Sequence, residues 1–362
     1  MNPEGGADRH MNEPTPVTPP GYNRDYTLGW LKRLLTTPSP TGFTQDILRL
    51  LGEETARLGF RMERIAKGGG YVRVPGTAGG PALAISGHVD TLGAMVRSTN
   101  DDGTLRLTLL GGFMLQSIEN EYCLVHTREG KTYSGTILPK KASVHVYADA
   151  RDQNRDEEHY VVRLDETVAS KDDVKALGIE TGNYISFDPR TVFLENGYIK
   201  SRHLDDKAGV AAMFALLEAM SRTGARPRRD LIFFFSNYEE LGHGSSYVPG
   251  DAEEMLAIDM GAIGDDLACT EMDVSICAKD STGPYDYEMT NRLVAHAKRL
   301  GLPYAVDIYP RYGSDASAAL RAGMNVRAAL IGPGVAASHA MERTHEDAIR
   351  ATYMLLAAFA LE

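Results

Sequence analysis

The segment "SRHLDDKAG", residues 201 to 209, sets Asp205 and Asp206 side by side where a helical pattern begins. One acidic cap satisfies a helix N-terminus, and two adjacent carboxylates repel each other. A bound cation accounts for the second acid better than capping does. Other acids and histidines fall in comparable places. The apolar run "ALAIS" is followed by His88 and Asp90, "LIFFFSN" by Glu239 and Glu240, and "MLAI" by Asp259. "AVDIY" leads into "GSD" with Asp315, and "RAALIG" leads to His339. Taken singly, each has an ordinary reading as a loop histidine, a wet charge pair or a cap. A solvated face scatters its charges, whereas these recur at the ends of apolar runs.

Carboxylates and histidines together suit a borderline divalent ion such as zinc, cobalt or manganese better than calcium. A carboxylate shared between two ions holds them about 3.5–4 Å apart, the spacing of two-metal hydrolases. Such ions acidify a water, and a nearby carboxylate then takes its proton. Asp205 is the expected bridge. The adjacent Glu239 and Glu240 divide the remaining roles, one as base and one as ligand. Asp90 lies two residues beyond His88 in extended chain and so points to the same side, where it can bind the far imidazole nitrogen.

These residues need a frame that gathers strand ends. Helical periodicity marks residues 25–35 and 44–60, then 205–220, 287–301, 314–323 and 346–361. In the 205–220 helix, Val210, Met213, Phe214 and Leu217 share one face. Apolar runs at 81–87, 230–237, 255–260, 273–278, 304–309 and 326–332 read as strands. Their alternation with helices predicts an α/β fold, a mixed and mostly parallel sheet flanked by helices, whose chemistry collects at strand carboxyl ends. Between residues 93 and 198 the rhythm breaks into short strands and turns such as "NDDG" and "ENG". That block reads as an inserted small β-barrel. The expected division is a disordered tail over 1–20, a catalytic domain from 21–92 and 199–362, and the insert over 93–198.

With 362 residues and a formal net charge of -11, the chain is too acidic for nucleic acid to be its main partner. No apolar run approaches the roughly 20 residues of a membrane span, and the first residues lack the apolar centre of a signal peptide. Met11 is an alternative start. Three cysteines, Cys123, Cys269 and Cys277, are odd in number and lack metal spacing, which fits buried thiols in a reducing cytoplasm.

Five segments, "SGHVDTLGAMV", "SRHLDDKAG", "NYEELG", "AIDMG" and "GSDAS", together with the inserted "GIETGNYISFDP", resemble the M42 metallo-aminopeptidases, the group that includes the tetrahedral (TET) aminopeptidases. The resemblance covers almost everything after the tail. It implies a zinc-peptidase-like fold with two divalent metal ions per subunit. His88, Asp205 and Asp259 would hold one ion, and Asp205, Glu240 and His339 the other. Glu239 would be the general base, Asp90 the partner of His88, and the Asp205–Asp206 peptide cis. The implied activity is removal of residues from the free amino end of short peptides, within a homo-oligomer such as a twelve-subunit shell built from dimers.

Two departures stand out. The family commonly reads Ser-Pro-x-Glu after its last histidine, but this chain reads "SHAMERTHED", so that Glu342 arrives one residue early and His345 is a second candidate ligand. "LGHGSS" likewise replaces the family's glycine spacing and brings His243 near the site as a loop residue. A dinuclear deacylase, carboxypeptidase or amidase on acyl-amino acids is the alternative enzyme, and an assembly protein without catalysis the non-enzymatic one. No basic residue stands within the metal motifs except Arg202 and Lys207, which points to neutral, apolar residues at the substrate's amino end.

Overall fold

The computed structural model describes residues 18–362. The expected tail, apart from residues 18–20, and the alternative start at Met11 lie outside the described residues. A ten-stranded mixed sheet forms the larger layer. At its centre Ala82–His88 runs parallel to Leu231–Ser236 on one side and to Ala252–Ile258 on the other, and Ala252–Ile258 runs parallel to Arg327–Val335. Val274–Asp280 is antiparallel to Arg327–Val335 and carries Tyr304–Ile308 in parallel beside it.

Alternation sorts the central strands into two cores. Leu83, Ile85, Phe233 and Phe235 face the helices Arg24–Thr36, Gln45–Arg57, Leu204–Thr223, Tyr287–Leu300 and Glu346–Leu361. Ala82, Ala84, Ile232 and Phe234 turn to the opposite side, where Ala316 and Ala319 of the helix Asp315–Arg321 meet them. The Leu204–Thr223 helix differs from its one-faced expectation. Leu204 through Met220 are all buried, because the Arg24–Thr36 and Glu346–Leu361 helices pack against it as well as the sheet. Small residues at Ala208, Gly209, Ala211 and Ala212 allow that enclosure.

Six strands close a separate barrel: Gly93–Thr99, Leu105–Leu110, Tyr122–His126, Thr132–Pro139, Tyr160–Leu164 and Tyr184–Phe187. Its own core includes Val96, Leu107, Val125, Ile137, Val162 and Ile185. Val192–Phe193 and Tyr198–Ser201 lie outside the barrel and join Glu342–His345 in a three-stranded sheet. Among the described residues, no helix is long and apolar enough to cross a membrane. All three cysteines are free and buried.

Candidate active site

His88 is the last residue of the Ala82–His88 strand and is paired in register with Ser236, the last residue of its neighbour. Glu239 and Glu240 follow from that neighbour, and Asp259 follows directly on the Ala252–Ile258 strand. Parallel strands that end together thus deliver three segments to one place. Asp205 arrives at the head of the Leu204–Thr223 helix, where Asp205 and Asp206 have non-helical backbone angles and the peptide between them is cis.

Asp205 occupies the middle. Its Oδ1 lies 3.0 Å from His88 Nε2 and its Oδ2 3.4 Å from His339 Nε2. His339 Nε2 also stands 3.5 Å from Glu240 Oε2, and His88 Nε2 stands 3.9 Å from Glu239 Oε2. Donor atoms of His88, Asp205 and Asp259 all fall within 4.8 Å of one another. Six residues singled out in the sequence, His88, Asp205, Glu239, Glu240, Asp259 and His339, therefore meet at one end of the sheet.

Asp90 meets His88 differently from the expectation. The His88 Nδ1 hydrogen bond, at 2.9 Å, goes to the main-chain oxygen of Asp90, while the carboxylate Oδ1 stands 3.7 Å away. That carboxylate instead accepts from Thr41 Oγ1 at 2.8 Å and from the main-chain N–H groups of Glu239 and Glu240.

His345 lies elsewhere. Its Nδ1 accepts from the Asp347 N–H at the head of the last helix, and its Nε2 bonds the Asn196 carbonyl. His243 is exposed and stacks on Tyr238. Arg202 and Lys207 do not line the cleft: Arg202 reaches Ser117 O and Ala340 O, and Lys207 donates to Thr37 O.

Sequence reasoning left the main-chain contacts at two residues, Glu342 and Gly112, unseen. Glu342, buried in its strand, accepts the Asp205 N–H on Oε2 and the His339 N–H on Oε1, both at 3.1 Å. The Gly112 carbonyl, from the barrel side, lies 2.6 Å from His339 Nδ1 and fixes that ring. Only the three-residue spacing from His339 to Glu342 signals the first contact, and nothing local signals the second.

The donor set fits a divalent cation. Both carboxylate oxygens of Asp206 are buried without a hydrogen-bond partner. A Cβ on Gly209 would stand 2.1 Å from Asp206 Oδ1, so the glycine makes room for that acid. Burial, then the charge of Asp205, pushes the Glu240 and Asp259 carboxyls up to about 8. Burial likewise raises Glu239 and Asp206 well above the ordinary range, with Asp259 adding to both. Asp205 is the exception: burial acts to raise it, but the bonds from His339 and His88 bring it below its ordinary value. Anions crowded this closely call for positive charge between them.

A cleft of about 400 Å³ opens over the cluster, lined by Asp205, Glu239, Glu240, Asp259 and His339, and also by Arg311, Tyr312 and Arg321.

Residues 68–355 match the M42 glutamyl aminopeptidase family. The chain belongs to the M42 peptidase family. This M42 peptidase is 45% identical over 331 residues to the candidate aminopeptidase YhfE of Bacillus subtilis, covering 91% of this chain and 96% of that one. It is 24% identical over 222 residues to a lysyl aminopeptidase of Pyrococcus furiosus, covering 59% of each. Its fold is similar to that of the aminopeptidase APDkam598 from Desulfurococcus kamchatkensis, with a TM-score of 0.83 and 22% identity over 94% of this chain and 95% of that one. The TET1 peptidase of Pyrococcus horikoshii, which can assemble into a tetrahedron or a large octahedral shell, superposes with a TM-score of 0.81 and 20% identity, covering 93% of this chain and 99% of that one. This M42 peptidase is an aminopeptidase, a hydrolase of peptide bonds, and the membership implies divalent metal.

Proposed function

We propose that the cluster is a two-metal aminopeptidase centre acting on short peptides with a free amino end. The observation that carries this reading is the position of Asp205, whose two oxygens face different histidines, His88 at 3.0 Å and His339 at 3.4 Å. Asp205 would bridge two ions, with His88 and Asp259 completing one ligand set and Glu240 and His339 the other. Zinc, cobalt and manganese all suit these donors. When bound, such ions acidify water and polarise the scissile carbonyl.

Glu239 acts as the base. Its carboxylate takes a proton from the attacking water and returns it to the amine of the departing peptide. Asp90 holds the Glu239 main chain in place through its N–H. The expectation of a neutral pocket rested on the lack of basic residues within the motifs other than Arg202 and Lys207. Arg311 and Arg321 come from outside them and line the cleft, which favours substrates that carry a carboxylate beyond the reacting bond.

Exposed Met114, Tyr122, Leu124, Val144 and Val146 in the 93–198 segment, and the fold shared with a shell-forming peptidase, support a homo-oligomer assembled through that segment. Buried free thiols are compatible with a cytoplasmic setting.

The test is a panel of aminoacyl-nitroanilides, each with a free and an acetylated α-amine, assayed with cobalt, zinc or manganese and with chelator. Release from free-amine substrates only, abolished by chelator and accompanied by two ions per chain, supports the proposal. Release of nitroaniline from acetylated substrates would convert it to an amidase indifferent to the α-amine, and release of acetate from them to a deacylase. Light scattering that gave only monomer would overturn the assembly.

A further inference from the structure

We propose that Glu342 is a positioning residue that sets the main chain on both sides of the metal centre, a role resting on the assignment of Asp205 and His339 as ligands. Its side chain is buried, with only 2% of the residue exposed. Each carboxylate oxygen is committed to one N–H: Oε2 to that of Asp205 and Oε1 to that of His339, each at 3.1 Å. Asp205 turns its two oxygens towards histidine rings. Glu342 turns both of its oxygens to the backbone, so it orients ligands rather than adding one.

The backbone around both contacts explains why such a tie is needed. His339 has a φ of 62° and Ala337 a φ of 56°, in the left-handed region that side-chain-bearing residues rarely adopt. His203, two residues before Asp205, has a φ of 69°. Both ligands thus sit on turns that the chain does not favour by itself. They are also 134 residues apart in sequence, by the difference between 339 and 205. A single side chain that accepts from both N–H groups fixes their separation.

Glu342 can do this because its own position is secured. It starts the Glu342–His345 strand and pairs with Ser201, so Tyr198–Ser201 carries the register to within four residues of Asp205. The turn from Ala337 to Ala340, closed by a 3.0 Å main-chain bond, folds His339 back over it. The early arrival of this glutamate after "SHAM" is thereby accommodated: the left-handed turn brings the carboxylate under the His339 N–H.

The experiment measures metal affinity directly, on the full chain, by competition with a chromophoric chelator for cobalt and zinc. It compares wild type with E342Q and E342D, alongside the visible absorption of the cobalt-loaded proteins. Glutamine keeps one acceptor and presents an NH2 group to the other N–H. It is expected to weaken the dissociation constant about 10- to 100-fold and to alter the cobalt bands, because ligand orientation changes. E342D keeps two acceptors on a shorter stem and should fall between the two. If E342Q does not fold, E342D carries the comparison. An unchanged affinity and spectrum in folded variants overturns the proposal, as does a lower melting point of the metal-free protein with affinity intact. Loss of one whole ion in E342Q would make Glu342 a ligand and also overturn it. Wild type that binds no metal would instead sink the metal-centre reading on which the role depends.

Discussion

The carboxylate of Asp90 accepts the main-chain N–H of Glu239 at 3.3 Å, and its second oxygen accepts that of Glu240 at 3.4 Å. A buried side chain at the end of one strand therefore holds the turn that follows its neighbour. Asp90→Asn would place an NH2 group against one of these donors or against Thr41. The expected outcome is a kcat lower by about 10- to 100-fold with the metal content preserved. Steady-state kinetics paired with metal analysis of the same preparation checks it, and an unaltered kcat would show that the turn holds itself.

Glu239 and Asp205 should fail in different ways. Loss of a positioned base costs about 10²- to 10⁴-fold in turnover, so Glu239→Gln is expected to be nearly inactive while retaining its ions. Asp205→Ala removes the carboxylate that faces both His88 and His339, and it should lose metal together with activity. Elemental analysis separates the two. A Glu239→Gln protein with wild-type turnover would give the proton transfer to another group.

Arg311 and Arg321 line the cleft alongside the ligand acids. Replacing either with Met should lower the ratio of kcat/KM for a glutamyl substrate over its glutaminyl analogue by about twofold to fivefold, the effect of one exposed ion pair. The same ratio for a tripeptide acid over its C-terminal amide tells which substrate carboxylate is read. If neither ratio changes, the arginines serve only the surface.

Far from the centre, Glu254 is buried and meets Arg229 at 2.6 Å, Arg292 at 2.7 Å and Arg327 at 2.7 Å. Burial acts to raise its carboxyl, but the hydrogen bond from Arg292 and the charge of Arg229 outweigh it and leave the value below that of an ordinary glutamate. A carboxyl depressed on folding adds stability above its unfolded value, near 4.5, and loses that contribution as the pH falls through its folded value. Glu254→Gln should cost about 3 kcal/mol at pH 7, the order seen when one partner of a buried pair is removed. In urea titrations the gap from wild type should narrow below about pH 4, as protonation takes the same charge from the native carboxyl. A gap that stays constant with pH would remove charge as the cause.

Much of the centre was legible because parallel strands end abruptly. His88, Glu239 and Asp259 each follow an uninterrupted apolar run, and the sheet then brings the ends into line. The five long helices and the barrel were legible from period and turn residues. Other features were not. The strands Met62–Arg64 and Gly70–Val74 are short and carry charge, and they join the sheet because Gly70–Val74 pairs with Leu231–Ser236 and Met62–Arg64 pairs with Gly70–Val74. Glu342–His345 reads "ERTH", with no strand pattern at all, and it is held by Tyr198–Ser201 far upstream. Nor could spacing show that the Asp90 carboxylate would turn from the His88 ring to the Glu239 backbone. Arg311 and Arg321 flank the "GSDAS" segment, and spacing did not show that their side chains line the cleft.

The bond from His339 to the Gly112 carbonyl bears on any attempt to pare the molecule down. Trimming away the barrel would leave His88, Asp205, Glu240 and Asp259 on their strands and helix, yet it would unmoor one imidazole and let it swing. Under the proposed two-metal reading, the smaller protein would hold the ion assigned to His339 poorly. What resembles a detachable accessory is tied, through one carbonyl oxygen, to a histidine of the proposed centre.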